Sequence, residues 1–359
     1  MTPTSDAADG RRPRIGLLTI HGSDNFGSVL QASCLASALG RHGDVEVIDH
    51  RPITLNLGYY QDLLPYQVLR RTLNPDLLAF ARKHRRMLRC QDEMLPLGPR
   101  LRRRPGAEVF GSYDLVVVGS DEVWSTRWGS QPQYLFTGAP EGVPRIAYAA
   151  SIGRSSEVAG GAEAADELRR FSSVLVRDGA TERAVAELGR PADAVVCDPV
   201  LMADPDDLHA LASPVHTGRS TVIYAESCRP DPRIKRAISL AGASRHAVSV
   251  GFPSPGYSSR VAADARDFVG MVAEAELVVT SMFHGVVTAL ALGRPVAILS
   301  QESKRQKVED LLTRVDAEVT AQEGDITVVS SAPGVEAFRQ SSRAHLDRAV
   351  TEALAALRS

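Results

Sequence analysis

The chain is poor in cysteine, and its few cysteines are far apart. It has 359 residues and four cysteines, with no CxxC pair and no Cys/His cluster. A disulfide framework or a zinc site would need such clusters, so neither is predicted. No group of acidic residues has the spacing of a metal-binding loop, and no metal site is predicted. This cysteine usage favours a reduced compartment, so we expect a cytoplasmic protein.

Long apolar runs and an excess of one charge are also lacking. No stretch approaches ~18 uninterrupted apolar residues, the length of a membrane-spanning helix. The opening residues, MTPTSDAADGRRPR, have no apolar core of the kind found in signal peptides, so residues 1–13 are predicted to form a disordered tail. The net charge of −2 gives no overall attraction to nucleic acid, and no nucleic-acid partner is expected.

Strand and helix signals alternate along most of the chain. Short β-branched runs are each followed by small or polar residues and then by a helical pattern. This alternation predicts an α/β fold in which helices cover parallel sheets. A polar stretch with prolines interrupts it, so we predict two halves that face a ligand cleft. The predicted segments are an N-terminal half (14–202), a linker (203–218), a C-terminal half (219–334) and a helical C-terminal segment (335–359).

Between about residues 55 and 105 the alternation stops and the chain becomes strongly basic. From Arg70 to Arg104 there are eleven Lys and Arg residues against three acids. We predict a helical insertion whose charges form a solvated face, as such runs usually do. Peripheral contact of the 70–104 segment with an anionic surface, such as a lipid-linked acceptor, is the alternative.

The stretch TSMFHGVVTALALGRP (280–295) places a histidine between a strand and a helix. Leu277–Val279 has the pattern of a buried parallel strand, and the apolar residues after Gly285 recur at helical spacing. His284 would then lie at a strand's carboxyl end, where ligands bind in open α/β sheets. Ser281 and Gly285 would belong to a helix start that attracts anions. The alternative is that His284 only caps the helix.

A polar loop, HGSDNFGS (21–28), follows the first predicted strand and leads directly into a helix. Its glycines and the helix start would let Asp24, Asn25, Gly27 and Ser28 approach a ligand. The loop matches neither GxGxxG nor a Walker motif, so no nucleotide is specified. A turn capped by Asn25 or Ser28 is the alternative interpretation.

The segment YDLVVVGSDEVW (113–124) combines a buried strand with an acidic turn. Asp121 could act as a general base or bind sugar hydroxyls, with Trp124 as an apolar wall of the site. Alternatively, Asp121 caps the next turn and Trp124 belongs to the core.

Cationic residues follow two other predicted strands. Arg177 could grip a phosphate or carboxylate with two hydrogen bonds, whereas Asp198, after the next strand, is interpreted as a turn residue. Lys304 and Arg305 begin a helix, where cations oppose the helix dipole, so a bound anion would explain them and plain solvent exposure is the alternative. Together His284, Arg177 and Arg305 predict an anion-handling set drawn from both halves.

These motifs also resemble a known family. The segments DNFGSVLQASCLASAL, DLVVVGSDEVW, RIAYAASIG, VRD, CDPVLM and TSMFHGVVTALALGRPVAIL occur in the order seen in polysaccharide pyruvyl transferases. The resemblance runs from about Ile15 to Leu312. It implies a GT-B-like fold, with two Rossmann-like domains facing an interdomain cleft, and transfer of pyruvate from phosphoenolpyruvate to sugar hydroxyls as a ketal. His284 and Arg177 match the family's histidine and arginine that handle phosphoenolpyruvate.

Three positions depart from the family pattern. Phe26 stands where tyrosine is frequent, Asp178 where glutamate is frequent, and Glu122 where glutamine is frequent. These changes lie near the expected acceptor side, so they bear on the acceptor more than on the donor. The acceptor is expected to be a sugar, a glycan or a small-molecule glycoside.

The expected mechanism uses phosphoenolpyruvate as donor substrate and no separate cofactor. Its phosphate would lie at the 281–285 helix start, with Arg177 and Arg305 holding the remaining charge. His284 is the candidate acid or phosphate ligand, and Asp121 or Asp24 the candidate base.

Two other functions fit the sequence less well. A GT-B glycosyltransferase using a nucleotide sugar often has a glutamate on the helix after this loop, and Val286–Leu290 contains no acid. A non-catalytic anion-binding or glycan-binding module would not need the candidate bases.

Overall fold

The computed structural model describes residues 11–52, 75–129, 131–214, 220–225, 230–244 and 246–357. Two sheets covered by helices form the two halves of this part of the chain. The prediction of an α/β, GT-B-like fold with two Rossmann-like domains is confirmed. Most of the predicted tail, residues 1–10, lies outside the described residues. Residues 11–13 are not loose, because Arg12 donates to the carbonyl oxygens of Gly40 and Gly43.

The first sheet contains only parallel pairs, in the order β2-β1-β3-β4-β5-β6. Its strands are β1 (Arg14–Leu18), β2 (Asp44–Val47), β3 (Leu115–Val118), β4 (Arg145–Ala150), β5 (Ser173–Val176) and β6 (Ala194–Val195). The helices of this half are α1 (Phe26–Leu39), α2 (Pro75–Met94), α3 (Ala107–Phe110), α4 (Gly161–Leu168), α5 (Gly179–Glu187), α6 (Pro199–Met202) and α7 (Pro205–Leu211). Two 3-10 helices, Thr126–Trp128 and Pro132–Leu135, follow β3.

The second sheet has the order β12-β13-β11-β10-β7-β8-β9. Its strands are β7 (Thr221–Tyr224), β8 (Ala247–Val250), β9 (Ser258–Arg260), β10 (Leu277–Thr280), β11 (Val296–Leu299), β12 (Glu318–Glu323) and β13 (Ile326–Ser331). The helices are α8 (Pro232–Leu240), α9 (Ala265–Glu274), α10 (Phe283–Ala291), α11 (Glu302–Arg314) and α12 (Val335–Ala356). Unlike the expected all-parallel sheet, this one ends in an antiparallel hairpin, β12–β13.

Short-range chemistry explains where many of these elements begin. All four residues of β3 are buried, as expected for a central parallel strand that is covered on both faces. Asn25 caps α1 by accepting from the Gly27 amide at 2.9 Å. Asp178 and Asp198 cap α5 and α6 in the same way. The parallel strands of each sheet end at the same edge, and loops from that edge lead into helices, several of them capped by a side chain.

The predicted linker is not wholly irregular. Helix α7 occupies Pro205–Leu211, inside the stretch predicted to be a linker, while residues 215–219 lie outside the described part. Pro205 stands at the first helical turn, which proline favours, and Leu208 is fully buried. Pro205, one of the prolines on which the linker prediction depended, is thus the first residue of a helix.

The C-terminal segment is one helix, and it returns to the first half. Helix α12 packs against α6, β4 and β5. Ser342 of this helix donates to the Phe338 carbonyl and accepts from the Cys197 amide at 2.9 Å. The chain therefore crosses twice between the halves, and its last helix supports the loop that follows β6.

The basic insertion is helical in its described part, α2, whereas residues 53–74 lie outside the described residues. One side of α2 contacts the second half: Arg86 pairs with Asp264 and Asp267, and Lys83 donates to the Gly251 carbonyl at 3.2 Å. Other basic side chains are exposed, as on a solvated face: Arg82, Arg85 and Arg89. Contact of these arginines with an anionic surface stays a prediction.

Aromatic rings join the two halves. The Phe26 ring lies 5.2 Å from that of Phe268 and 5.4 Å from that of Tyr224. The Tyr224 hydroxyl also donates to Asn25 Oδ1 at 3.3 Å. Phe26 is completely buried, so its ring is part of the hydrophobic core between the two halves. The loop after β1 is thereby fixed against the second half.

Candidate functional site

The candidate site lies where the strand ends of the two sheets meet. In the first half, the segments after β1, β3, β5 and β6 carry Asp24, Asp121, Arg177 and Asp198. In the second half, the turn after β10 leads into α10, whose second residue is His284. This location agrees with the rule that ligands bind at the carboxyl ends of strands in open α/β sheets.

The turn before His284 is fixed by Thr280. Its hydroxyl donates to the Tyr224 carbonyl at 2.6 Å and accepts from the Met282 amide at 3.0 Å. A Cβ at Gly285 would overlap this threonine side chain. Gly285 therefore lets α10 pack closely against β10, which is a structural role and not a contact with a ligand.

The ring of His284 packs directly on the backbone of the other half. A Cβ at Gly27 would overlap the imidazole ring, so glycine is required where α1 begins. Gly27 thus permits the close approach that brings a side chain of α10 into the first half. Gly27 therefore contacts His284, and its predicted approach to a ligand stays a prediction.

Asp198 holds His284 and Arg177 together. Its Oδ2 lies 3.2 Å from Arg177 Nη1 and 3.5 Å from His284 Nε2, while Oδ1 accepts from the Val200 amide. Burial would raise the pKa of Asp198, but His284, followed by Arg177 and the Val200 amide, lowers this pKa to about 2. A residue interpreted as a turn former is thus the buried counter-charge of the site.

Arg177 is buried among groups of both halves. Its Nη1 lies 3.7 Å from Asp121 Oδ1, and its guanidinium carbon is 4.7 Å from the centre of the Phe283 ring. Arg177 Nε has no hydrogen-bond partner among the described residues, and the contact of His284 Nε2 with Asp198 Oδ2, at 3.5 Å, is too long for a normal hydrogen bond. Since buried polar atoms normally have partners, these two atoms mark a position where a ligand would bind.

A second ion pair crosses the cleft beside this cluster. Lys307 Nζ of α11 donates to Glu122 Oε1 at 2.8 Å and lies 5.0 Å from the Phe283 ring centre. Burial would raise the pKa of Glu122, but Lys307, with smaller contributions from Arg177 and Lys304, lowers this pKa to about 2. Glu122, which stands where the resembled family frequently has glutamine, is therefore neutralised by Lys307.

Arg305 does not join this cluster. Its side chain is about half exposed and pairs with Glu302 at 3.3 Å within α11. Lys304 instead donates to the Ser281 carbonyl at 3.4 Å, and Lys307 lies on the same helix face three residues later. The prediction for Arg305 is corrected because helical periodicity turns it away from its neighbours Lys304 and Lys307.

The loop after β1 is largely occupied in holding its own shape. Ser28 Oγ lies 3.0 Å from Ser23 Oγ, and Asn25 caps α1 as described above. Gln31 donates to Thr19, Ile20 and Ser28 and accepts from the amide and hydroxyl of Ser120. These contacts favour the structural interpretation of Asn25 and Ser28 as capping and loop-forming residues.

The two candidate bases, Asp24 and Asp121, have different partners. The Asp24 carboxylate lies 2.9 and 3.2 Å from Nδ1 of His84, a residue of the insertion helix α2. Asp121, by contrast, contacts Arg177 and accepts from the Glu122 amide at 2.9 Å. The two candidate bases therefore belong to separate groups of side chains.

Trp124 is a core residue. It is 1% exposed, its indole N–H donates to the Tyr134 carbonyl at 3.0 Å, and its ring meets Phe171 edge to face. The role of an apolar wall is therefore corrected to a packing role. Its surroundings come from the turn around the second 3-10 helix, which the strand pattern did not indicate.

Asp198, Lys307 and His84 were missed as site residues by the sequence interpretation. Asp198 was assigned to a turn, and its second oxygen became important only when His284 approached from a different sheet. Lys307 could have been found from its spacing, because it shares a helix face with Lys304. For His84 the sequence pattern gave no indication of a role in the site, because it lies within a basic segment.

The described part of the chain has neither a cluster of metal ligands nor a membrane-spanning helix. Within residues 11–357, apart from the gaps given above, no group of three or more His, Cys, Asp or Glu side chains is placed to hold a metal ion. Among the described helices, none combines the length and apolar character needed to cross a membrane.

Comparison with known proteins identifies one family. The sequence profile of polysaccharide pyruvyl transferase matches residues 25–303. A search of curated proteins finds no match. Solved structures are similar only at low identity. A putative UDP-N-acetylglucosamine 2-epimerase from Listeria monocytogenes is 11% identical, with a TM-score of 0.43, over 83% of this chain and 82% of that chain.

Two more solved structures match over nearly their whole length. UDP-N-acetylglucosamine 2-epimerase from Rickettsia bellii is 11% identical over 97% of this chain and 98% of that chain, with a TM-score of 0.44. The glycosyltransferase SnogD from Streptomyces nogalater is 12% identical over 97% and 98%, with a TM-score of 0.37. Statements about activity therefore rest on the family match and on the site.

Proposed function

Because the chain belongs to the polysaccharide pyruvyl transferase family and is a transferase, we propose that it moves pyruvate from phosphoenolpyruvate to an acceptor. The acceptor is a sugar, a glycan or a small-molecule glycoside, and the product is a ketal with release of phosphate. We place the reaction in the cytoplasm, in keeping with the cysteine usage of the sequence.

One observation carries this proposal: two buried donor atoms from different halves point to a shared ligand. Arg177 Nε lacks a hydrogen-bond partner among the described residues, and His284 Nε2 has only the long 3.5 Å contact with Asp198 Oδ2. A ligand that satisfies both must offer several acceptor oxygens. Phosphoenolpyruvate offers a phosphate and a carboxylate, and charged oxygens form the strongest hydrogen bonds to such groups.

The donor would lie along the start of α10. Its phosphate is placed near the 281–285 turn, where the helix dipole stabilises a negative charge. Lys304, which already reaches the Ser281 carbonyl, and Arg177 supply the positive charges for the remaining oxygens. Asp198 keeps Arg177 and His284 in place, so the site is preorganised before the donor binds.

The chemistry needs one acid and one base. His284 delivers a proton to the methylene carbon C3, which makes C2 electrophilic. An acceptor hydroxyl adds to C2, phosphate leaves, and a second hydroxyl closes the ketal. Two hydroxyl protons are released in total: C3 takes up one, and the other leaves with phosphate. Asp121, next to Arg177, and Asp24, next to His84, are the two carboxylates placed to support removal of these protons.

Thermal unfolding with and without ligand tests the donor. A ligand present at about 100 times its Kd stabilises the folded state by about 2.7 kcal/mol, enough to raise Tm by several degrees. We expect this shift with phosphoenolpyruvate and not with a panel of nucleotide sugars. His284→Ala should fold and lose the shift.

Arg305→Ala is the matched control, because Arg305 lies outside the cluster, and this variant should keep the wild-type shift. A shift caused only by a nucleotide sugar would overturn the proposal and favour a glycosyltransferase. Turnover of His284→Ala at the wild-type rate would remove the role assigned to that residue.

A further inference from the structure

Beside the donor cluster stands a second histidine, which belongs to the insertion helix. His84 of α2 directs Nδ1 at the buried carboxylate of Asp24, at 2.9 and 3.2 Å from its two oxygens. An ionised carboxylate can only accept, so Nδ1 must carry the proton in this pair. The other ring nitrogen, Nε2, then has a free lone pair in the neutral ring.

The surroundings place this pair at the junction of the two halves. The neighbouring Lys83 bonds to the Gly251 carbonyl just after β8, and Arg86 bonds to Asp264 at the start of α9. Asp24 itself precedes Asn25, which accepts from the Tyr224 hydroxyl at the end of β7. Strand ends of both sheets therefore surround the His84–Asp24 pair.

The pair also lies close in sequence to the donor site. Gly27, whose backbone contacts the His284 ring, is three residues from Asp24. Three Cα–Cα steps of about 3.8 Å span at most about 11 Å. Asp24 therefore lies within about 11 Å of the backbone that contacts the His284 ring.

The two histidines differ in their access to solvent. The side chain of His84 is 50% exposed, whereas that of His284 is 7% exposed. A small donor can be enclosed between the halves, but a sugar carrying further residues must enter from outside. The exposed half of the His84 side chain leaves it accessible to such an acceptor.

We infer that His84 is the general base that activates the acceptor hydroxyl, and that Asp24 is its positioning residue. This inference rests on the proposed pyruvyl transfer. As the acceptor oxygen bonds to C2 of the donor, its proton moves to His84 Nε2. The imidazolium that forms keeps its Nδ1–H on Asp24, while C3 of the donor gains a proton from His284 and phosphate leaves from C2.

A second histidine–aspartate pair in the chain is a natural control. His42 Nε2 lies 2.8 Å from Asp347 Oδ1, so this pair uses the opposite ring nitrogen. It joins the end of α1 to α12, away from the strand ends. ¹⁵N NMR of the imidazoles should show the Nδ1–H tautomer for His84 and the Nε2–H tautomer for His42. An Nε2–H tautomer at His84 would overturn the inference without any activity assay.

Kinetics provide the second test, with methyl glycosides of common hexoses as acceptor probes and release of inorganic phosphate as the readout. His84→Gln should lower kcat by about 10²- to 10⁴-fold, the usual contribution of a positioned base, with KM for phosphoenolpyruvate unchanged. His42→Gln should have wild-type kcat. Equal kcat in His84→Gln and His42→Gln would overturn the assignment.

Rescue separates a catalytic from a structural role. Because His84 is half exposed, added imidazole should restore part of the activity of His84→Ala, and it should have no effect on wild type. Asp24→Asn should lower kcat less than His84→Gln does and should shift His84 away from the Nδ1–H tautomer. No rescue, together with an unchanged His84 tautomer in Asp24→Asn, would contradict the inference.

Failure of the proposed function has a different signature. If wild type shows no thermal shift with phosphoenolpyruvate, the donor assignment fails. If phosphoenolpyruvate stabilises wild type and His84→Gln alike and both turn over at the same rate, the donor assignment stands and only the role of His84 is lost.

Discussion

Two regions join the halves of this protein with the same kinds of charges, yet they differ in their access to water. In the donor-side junction, Arg177, Asp198 and Lys307 have side chains that are almost fully buried. In the insertion-side junction, the Arg86 side chain is about half exposed, although its partner acids Asp264 and Asp267 are largely buried. The first junction surrounds the proposed donor, and the second flanks the proposed acceptor entrance.

This difference decides what each ion pair contributes. Water and salt screen an exposed pair, so it adds little to stability. A buried pair costs desolvation energy when it forms, but removing one partner leaves an uncompensated charge that is expensive. We therefore expect the donor-side junction to be rigid and sensitive to substitution, whereas the insertion-side junction can adapt to different acceptors.

Asp198→Asn should have the largest effect. Asparagine can still cap α6, so the change isolates the charge that balances Arg177 and His284. We expect a loss of about 3–5 kcal/mol in the free energy of unfolding, measured in urea, and no thermal shift with phosphoenolpyruvate. Asp193→Asn, which disturbs an exposed pair with Arg190, is the control. A similar small loss in both variants would remove the distinction between buried and exposed pairs.

Glu122→Gln tests the ion pair across the cleft through pH. Because the pKa of Glu122 is lowered in the folded state to about 2, its stabilising contribution is present above about pH 4.5 and is lost as the pH falls toward 2. At neutral pH the variant should be less stable by about 2–3 kcal/mol. Urea unfolding from pH 7 to pH 3 should show a smaller dependence on pH in the variant. Parallel curves for variant and wild type would contradict this account.

Gly27→Ala tests the close approach of the halves without changing a charge. The new Cβ would overlap the His284 ring, and overpacking of this kind costs about 1–3 kcal/mol. Turnover should fall as well, because His284 must move. Gly142→Ala is the matched control, since a Cβ at Gly142 meets no atom within 4 Å. Wild-type turnover in Gly27→Ala would show that the ring position is not critical.

Arg86→Ala should have the smallest effect on stability. Its partners are Asp264 and Asp267, but its side chain is 47% exposed, so we expect a loss of at most about 1 kcal/mol. The loss should shrink further when salt is added. A loss as large as that of Asp198→Asn would mean that the insertion-side junction is as rigid as the donor side.

Much of the fold could be predicted because its signals are local. The strands β3 and β10 were recognised from β-branched residues followed by turn residues, and helix α10 from its apolar spacing. Helix α7 was not predicted within the linker because Pro205 was interpreted as a helix breaker, whereas it stands in the first turn of a helix. The hairpin β12–β13 was missed because its outer strand is exposed and lacks a clear apolar pattern.

The site was predicted less completely, because its contacts join residues that are far apart in the sequence. Arg177 and His284 were recognised as cleft residues from their positions at strand ends. Asp198 was not recognised, because its Oδ1 caps a helix start, as its sequence context suggests. Its Oδ2 contacts His284, which is 86 residues away in the sequence and could not be identified as a neighbour from local patterns. Arg305 was selected because it begins a helix, without considering the direction of each side chain around that helix, and Lys307 was therefore missed.

By itself the sequence determined where strands end, which polar residues follow them and which family motifs they form, since these depend on neighbours along the chain. Only the tertiary structure decided which of those charged residues form ion pairs with one another. That choice depends on how α10, α11 and α2 pack across the cleft, because electrostatic energy depends on distance in space and on exclusion of water. Gly27 illustrates both levels: its place in the loop follows from the sequence, and its need to be glycine follows from the ring of His284.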